Sequence, residues 1–301
     1  MTSRLDPGER LAKVGDVELC WQSFGDEGAP VILLVMGLGA QMIVWEDGFC
    51  ERLAARGFRV VRFDNRDIGR SSRINAPAIP LSQAMAERKP GEKLKAPYLL
   101  KDMAADTIGL LDHLGVGRAH IVGASMGGMI AQEIAIHWPK RVATLTSIMS
   151  TTGDPRLPPP KPEALAVLMA PPPKTRDEFI EANAHAWRVF RGHGFPEEEP
   201  RDTARARRAA DRGLSPEGAA RQLLAVYASG SRKSTLPSVN APTLVIHGAD
   251  DPLVPIEAGK DTAASIPGAK LLVIQRMGHA LPQAVWPTII DAVVSLASLA
   301  R

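Results

Sequence analysis

The sequence predicts an α/β fold in which a mostly parallel central sheet carries helices on both faces. Short apolar runs, typical of strands buried on both faces, alternate along the chain with helical stretches. The chain has 301 residues, of which 45% are hydrophobic and 23% are charged. This length and composition suit one large globular domain, or a core domain that carries an insertion.

The first part of the chain is rich in strands. Val17–Phe24 alternates polar and apolar residues, as antiparallel strands do, whereas Val31–Val35 is apolar throughout. A helical pattern over 45–56 ends at Gly57, a residue type that favours helix termini. The next strand is predicted over 58–63.

The rest of the core repeats the alternation of buried strands with helices, which predicts that most strands run parallel. The second of the four predicted helices ends before Pro139, because proline cannot continue a helix. The predicted strands lie at 119–122, 142–149, 243–247 and 270–274. The predicted helices lie at 103–114, 129–137, 256–266 and 285–299.

Residues 154–233 break the alternation and predict a helical cap inserted into the core. The segment holds 11 of the 25 prolines and no convincing strand. The core domain is then formed by residues 1–153 and 234–301. The helical patches of the insertion lie at 163–170, 177–189 and 218–228.

The proline runs of the insertion and a second long segment are predicted to be mobile or functional. The proline runs at 158–160 and 171–173 are expected to act as hinges that flank it. A second, smaller insertion at 75–97 is longer than most connections between a strand and a helix, which is typical of functional or mobile loops.

Composition excludes several classes of function. The net charge is only +3, and no basic run is interleaved with aromatic residues, so no nucleic-acid partner is expected. The two cysteines, Cys20 and Cys50, lack metal-ligand spacing and predict free thiols in a reducing compartment.

The first six residues lack the apolar stretch of a signal peptide, and no apolar run is long enough to span a bilayer. A cytoplasmic protein without a metal or cofactor is expected, and its oligomeric state cannot be read from the sequence.

The strand predicted over 119–122 runs directly into the residues G-A-S-M-G at 123–127, and a helix follows. A strand, a G-x-S-x-G turn and a helix in this order form the nucleophile elbow of serine hydrolases. The tight turn exposes the serine Oγ, and the glycines leave room for neighbouring backbone. The pattern therefore predicts Ser125 as a nucleophile.

A serine hydroxyl needs a general base, and the base needs a carboxylate that orients it. Both are expected on loops after later strands, in the order serine, acid, histidine. Asp250 and Asp251 follow the strand at 243–247, and His279 follows the strand at 270–274. The predicted triad is therefore Ser125, Asp251 and His279, with Asp250 as the alternative acid.

Other residues near these strand ends compete for the same roles. Asp251 is favoured over Asp250 because the residue three positions after the glycine of the turn can point back towards the histidine. His247 is a rival base, but its place at the end of a strand indicates a structural role. Asp154 also follows a strand and is the third choice for the acid.

The oxyanion hole needs two backbone N–H donors. One is expected from Met126, the residue after the nucleophile, and the other from Leu38 in the loop after Val31–Val35. Gly37 and Gly39 allow this loop to turn closely. The charged segment at 62–72, which contains the turn at 64–71, is predicted to brace the floor below the loop rather than to bind substrate.

These motifs resemble the α/β-hydrolase superfamily: the elbow, the glycine loop, the D-x-R-[GD]-x-G-x-S turn at 64–71 and the G-x-x-D and G-H loops. More narrowly, V-M-G at 35–37, Arg66-Asp67 and M-G-H-A-L-P at 277–282 are similar to aclacinomycin methylesterase and its bacterial relatives. The similarity covers about 14–152 and 240–300. It implies the acid at Asp251, the base at His279 and the second oxyanion donor at Leu38.

The expected activity is that of a serine esterase that cleaves a carboxylic ester, with a methyl ester among the candidates. An alternative is hydrolysis of a C–C bond in a ring-cleavage product, because such enzymes share the S-M-G-G elbow. They usually carry Trp after the catalytic histidine, where this chain has Ala280. A third reading is a non-catalytic receptor for a small molecule on the same fold.

The substrate is expected to be a small, apolar ester, although the sequence leaves its identity open. Apolar residues of the insertion, with Met126 beside the nucleophile, indicate an apolar acyl group or a ring-bearing ligand. The same residues could instead form the packing face of a cap helix. They are Leu165, Val167, Leu168 and Met169.

Overall fold

The computed structural model describes residues 5–89, 91–196 and 198–300. Eight strands of this described part form one sheet in the order β1-β2-β4-β3-β5-β6-β7-β8. The first two strands pair antiparallel, β2 pairs antiparallel with β4, and the other pairs are parallel. The strands are β1 (Arg10–Val14), β2 (Val17–Phe24), β3 (Val31–Val35), β4 (Arg59–Phe63), β5 (Ala119–Ala124), β6 (Val142–Ile148), β7 (Thr243–Gly248) and β8 (Lys270–Ile274).

Ten helices lie in the same described ranges. Those of the core are α1 (Asp47–Ala54), α2 (Leu81–Glu87), α3 (Leu100–His113), α4 (Met126–His137), α9 (Ile256–Ser265) and α10 (Trp286–Ser298). Those between β6 and β7 are α5 (Pro162–Leu168), α6 (Arg176–Arg191), α7 (Glu199–Arg212) and α8 (Pro216–Ser229). The predicted mostly parallel sheet with helices on both faces is confirmed.

Burial on both faces explains the continuous apolar run of β3. Leu33 and Val35 pack into one core cluster together with residues of α3 and α4. Ile32 and Leu34 pack into a second cluster together with residues of α1 and α10. Since successive side chains of a strand point to opposite faces, both faces of this strand require apolar residues.

Two core elements differ from the sequence prediction. One antiparallel partner of β2 is β1, which the sequence prediction did not delimit. All but one of the side chains of this strand, R-L-A-K-V, are at least partly exposed, so it lacks an apolar run. Helix α4 begins at Met126 rather than at 129, so Gly127 and Gly128 lie inside its first turn. Glycine lowers helix propensity, but here close packing overrides it.

The insertion predicted at 154–233 contains four helices and, in its described residues, no strand. Three of the helices match the predicted patches. Helix α7 was missed because E-P-R-D-T-A-R-A-R-R-A-A-D-R offers charges rather than an apolar face. The proline run at 171–173 lies between α5 and α6, inside the insertion rather than at its flank.

Buried ion pairs join this insertion to the core. Arg212 Nη2 lies 2.8 Å from Asp64 Oδ2, and Arg212 Nε lies 2.8 Å from Glu9 Oε1. Arg221 Nη2 lies 2.7 Å from Asp67 Oδ1. All five side chains are at most 3% exposed, so separation of the insertion would leave charges buried without partners.

The segment at 75–97 forms an exposed connection that contains the short helix α2, which has no buried residue. Pro90, in this segment, lies outside the described residues, as do Glu197 in the insertion and residues 1–4 and 301 at the ends of the predicted core. Among the residues that are described, no helix combines the length and the apolar character needed to cross a membrane.

Candidate active site

Ser125 lies at the turn between β5 and α4 in a strained backbone conformation. Its φ of 55° and ψ of −123° fall in a region that residues with a Cβ rarely adopt. The flanking glycines are required by close packing: an added Cβ would lie 2.1 Å from Gly127 O at Gly123, and 2.1 Å from Val35 O at Gly127. The Ser125 N–H donates to Ile148 O at 2.9 Å. The turn thus fixes the serine at the carboxyl edge of the sheet.

Two hydrogen bonds link Ser125, His279 and Asp251. His279 Nε2 lies 2.9 Å from Ser125 Oγ, and His279 Nδ1 lies 2.7 Å from Asp251 Oδ2. Because a carboxylate only accepts, the proton of the neutral ring is assigned to Nδ1, and Nε2 is free to accept from the serine hydroxyl. This arrangement can take the hydroxyl proton while Oγ attacks an electrophile.

The loop after β7 carries both aspartates, but its backbone N–H groups bind only the Asp251 side chain. Asp251 Oδ1 accepts from the N–H groups of Leu253 at 2.9 Å and Val254 at 2.8 Å, which leaves Oδ2 for the histidine. Asp250 is exposed, and its backbone N–H donates to Met277 O at 3.0 Å. Of the two neighbouring acids, the structure therefore brings only Asp251 to His279.

His247 lies behind the acid rather than beside the serine. Its ring is fully buried, and Nε2–H donates to Val254 O at 2.7 Å. Burial lowers the pKa of His247, with Asp251 acting in the opposite direction, so the ring stays neutral. The geometry matches the structural role expected for this residue.

Asp154, the third choice for the acid, belongs to a separate ion-pair cluster. Its carboxylate lies 2.7 Å from Arg156 Nη2 and 3.0 Å from Lys233 Nζ. Hydrogen bonds from Arg156 and then Lys233 hold the pKa of Asp154 well below its usual range. The structure does not bring this residue to His279.

The backbone amides of Leu38 and Met126 have no hydrogen-bond acceptor in the part of the chain that is described. Leu38 follows β3 and Met126 opens α4, so both come from the carboxyl edge of the sheet. Gly37 approaches so closely that an added Cβ would lie 3.1 Å from Ser125 Cβ. Free N–H groups at a helix N-terminus and a neighbouring loop can stabilise a developing oxyanion.

The charged turn at 64–71 supports this loop, as expected. Asn65 Nδ2 donates to Met36 O at 2.9 Å, and Asp64 Oδ1 accepts from the Met42 N–H at 2.7 Å. Arg66 is held by Asp106, with Nη2 to Oδ1 at 2.6 Å. The polar side chains of the turn therefore bind other groups of the protein rather than remaining free to bind a substrate.

The insertion reaches the histidine loop through the C-terminal end of α6, a contact that the sequence did not predict. The His279 N–H donates to Phe190 O at 2.6 Å, and the two rings meet edge to face with centroids 6.1 Å apart. An added Cβ at Gly278 would lie 2.3 Å from Phe190 O. The glycine before the histidine is the only sequence signal of this close approach.

Neither cysteine belongs to the hydrogen-bonded group of Ser125, His279 and Asp251. Cys20 and Cys50 are both buried, and burial raises the pKa of both thiols, that of Cys50 to about 12. In the described ranges, no three or more His, Cys, Asp or Glu side chains are grouped so that they could hold a metal ion. The chemistry that the site offers is that of the serine, histidine and aspartate.

Comparison with known proteins gives matches over most of the chain. A family model described as alpha/beta hydrolase fold matches residues 30–282. Rhodomycin D methylesterase DnrP of Streptomyces peucetius is 31% identical over 296 residues, which cover 92% of this chain and 93% of that protein.

Two further similar proteins are also described as hydrolases. A 2-hydroxy-6-oxononadienedioate/2-hydroxy-6-oxononatrienedioate hydrolase of Cupriavidus pinatubonensis is 30% identical over 84% of this chain and 81% of its own length. The crystal structure of a hydrolase from Pseudomonas aeruginosa PA01 superposes with a TM-score of 0.72 at 25% identity, covering 96% of this chain and 98% of that one.

Proposed function

This chain belongs to the α/β-hydrolase family, and from that premise we propose that it is a serine carboxylesterase that acts on a small, apolar ester. The observation that carries the proposal is the uninterrupted hydrogen-bonded chain from Asp251 through His279 to Ser125, next to two unpaired backbone amides. In this proposal Ser125 is the nucleophile, His279 the base, and Leu38 and Met126 the oxyanion donors.

Acylation begins when Ser125 Oγ attacks the ester carbonyl carbon and passes its proton to His279 Nε2. The carbonyl oxygen takes the negative charge and accepts hydrogen bonds from the Leu38 and Met126 N–H groups. Asp251 stabilises the imidazolium and keeps the ring oriented. The tetrahedral intermediate then collapses, the C–O bond to the alcohol breaks, and His279 protonates the departing alcohol.

Deacylation repeats the same steps with water as the nucleophile. His279 takes a proton from water, whose oxygen attacks the acyl carbon, and the new oxyanion occupies the same hole. When the bond from carbon to Ser125 Oγ breaks, His279 returns the proton to the serine. The carboxylic acid leaves, and no other group is consumed.

Similarity to rhodomycin D methylesterase supports an ester, and a methyl ester in particular, as the bond that is cleaved. The alternative is C–C bond hydrolysis of a ring-cleavage product, which the Cupriavidus relative supports. Ala280 after the histidine, where such hydrolases usually carry Trp, favours the ester.

In the same proposal, residues 154–233 form a cap that determines which ester enters. Phe190 contacts His279 from this segment, so a substrate bound at Ser125 lies next to the insertion. Leu165 and Met169, two of the apolar residues considered from the sequence, are 39% and 45% exposed. They therefore contribute little to an enclosed apolar pocket.

The experiment that tests the proposal measures hydrolysis of p-nitrophenyl esters of increasing acyl length, one aryl methyl ester and one dienoic ring-cleavage product. We expect turnover of esters and covalent labelling of Ser125 by a fluorescent organophosphonate. The matched control, Ser125→Ala, should keep its fold and lose both. Labelling of another serine would contradict the assignment, turnover of the dienoic compound alone would favour the C–C hydrolase, and retention of a ligand without turnover would favour a receptor.

A further inference from the structure

Gln222, a buried side chain on α8, contacts the loop that carries Leu38. It is fully buried, and its Oε1 accepts from the Gly39 N–H at 2.9 Å. Its Nε2 donates to Arg66 O at 2.8 Å. Since Gly39 directly follows Leu38, the side chain fixes the peptide next to the proposed oxyanion donor.

The loop is held from two sides by different parts of the chain. On the core side, Asn65 Nδ2 donates to Met36 O at 2.9 Å. On the side of the insertion, Ala219 of α8 packs against Gly39, where an added Cβ would lie 3.3 Å from Ala219 Cβ. Gly39 has a φ of 66° and cannot easily carry a side chain. The position of the Leu38 amide therefore depends on both the core and α8.

The chemistry of the glutamine fits this role. A buried amide is costly unless both its oxygen and its nitrogen find partners, and both do so here. An apolar residue at position 222 would remove the side-chain partners of the Gly39 N–H and the Arg66 carbonyl. The glutamine amide carries an acceptor and a donor at the end of one side chain, so it can bridge two loops in this way.

We propose that Gln222 is a positioning residue for the oxyanion hole, so that the insertion takes part in transition-state stabilisation as well as in substrate selection. This inference rests on the proposed esterase function. Gln222 does not touch the substrate; it acts through the loop at 37–39. Its loss should weaken interactions with the oxyanion and leave ground-state binding of the ester nearly unchanged.

The test is Gln222→Met, which keeps the volume and removes both hydrogen bonds. Removal of one oxyanion donor costs about 10²–10³ in kcat, so displacement of a donor is expected to cost about 10-fold. We expect kcat to fall by that factor with KM within about twofold. Affinity for an aryl trifluoromethyl ketone, whose adduct with Ser125 places an oxyanion in the hole, should fall by a similar factor.

Ser229→Ala is the matched control because it removes another hydrogen bond between α8 and the core. Ser229 Oγ accepts from the Leu100 N–H at 2.9 Å and does not touch the loop at 37–39. We expect unchanged kcat and unchanged affinity for the ketone. Equal losses in both variants, or no loss in Gln222→Met, would overturn the inference.

If Gln222→Met does not fold, Gln222→Asn provides the same test, because its shorter side chain cannot reach both Gly39 N and Arg66 O. Thermal unfolding identifies the folded variants before kinetics. Failure of the proposed function gives a different result: the wild-type enzyme itself would neither hydrolyse esters nor be labelled at Ser125.

Discussion

Single residues at the carboxyl edge of the sheet carry the proposed chemistry, and their order in the chain made them predictable. Ser125, Asp251 and His279 each follow a strand whose apolar run is unambiguous. In a parallel sheet the carboxyl ends of neighbouring strands meet at one edge, so three loops distant in sequence converge there. The sequence favoured Asp251 over Asp250, and the structure brings only Asp251 within hydrogen-bond distance of His279.

Substitution of the two neighbouring acids separates their roles. Asp251→Asn should lower kcat by up to about 10⁴, because an amide at this position no longer holds the Nδ1–H tautomer of His279. Asp250→Asn makes the same chemical change one residue earlier, on an exposed side chain. It should lower kcat by less than about threefold, which is small compared with the contribution of general-base catalysis. Steady-state kinetics on one p-nitrophenyl ester measures both, and the reverse ranking would move the acid to Asp250.

Residues of the insertion that contact the loops of the site could not be predicted from the sequence. Gln222 and Phe190 lie in the part of the chain whose pattern offers only helices, and nothing local marks their contacts with Gly39 and His279. Their roles depend on how the insertion packs on the core, which no periodicity encodes. The sequence shows a glycine at position 278. It does not show why a glycine is needed there, which is the close approach of the Phe190 carbonyl.

The elements of the core were predicted well because each has a strong local pattern. β2, β3 and β8 have the predicted bounds, and the five predicted core helices agree within a few residues, whereas the short helix α2 was not predicted. Helix α7 was missed because its buried positions include Asp202 and Arg212, which bury charge instead of apolar surface. A helix that packs through ion pairs has no apolar stripe to reveal it.

The contact between α8 and the turn at 64–71 should make stability depend on pH. Burial tends to raise the pKa of Asp67, but Arg221, the Ile74 N–H and Tyr98 together hold it below its usual range. A carboxyl whose pKa is lower in the folded state stabilises the protein above its unfolded value of about 3.9, and this contribution is lost as pH falls further.

Asp67→Asn should therefore reduce the free energy of unfolding by about 3–5 kcal/mol at neutral pH, since it leaves Arg221 buried without its partner. The difference from wild type should shrink below about pH 4. Urea unfolding between pH 7 and pH 3 measures it. Asp291→Asn, which breaks an exposed ion pair with Arg56, should change stability by less than about 1 kcal/mol. A difference independent of pH would contradict the assignment.

At the scale of the whole molecule, the insertion should determine substrate preference. Exchange of residues 154–233 for those of a relative should change the ranking of esters by acyl length while Ser125 is still labelled by the organophosphonate. The matched control keeps Phe190, Arg212, Arg221 and Gln222 in the exchanged segment, which preserves the contacts with the core. A folded, labelled chimera with the original ranking would place specificity elsewhere, and the segment at 75–97 would be examined next.

The buried ion pairs of the insertion also limit how small this enzyme can be made. If residues 154–233 were trimmed away, Asp64 and Asp67 would lose the guanidinium groups of Arg212 and Arg221, and Glu9 would keep only Arg70. Loss of the cationic partner of a buried carboxylate costs several kcal/mol, and two such losses are comparable in sum to the stability of a whole domain. Removal of the insertion should therefore destabilise the core, and a redesign has to change the insertion and the core together.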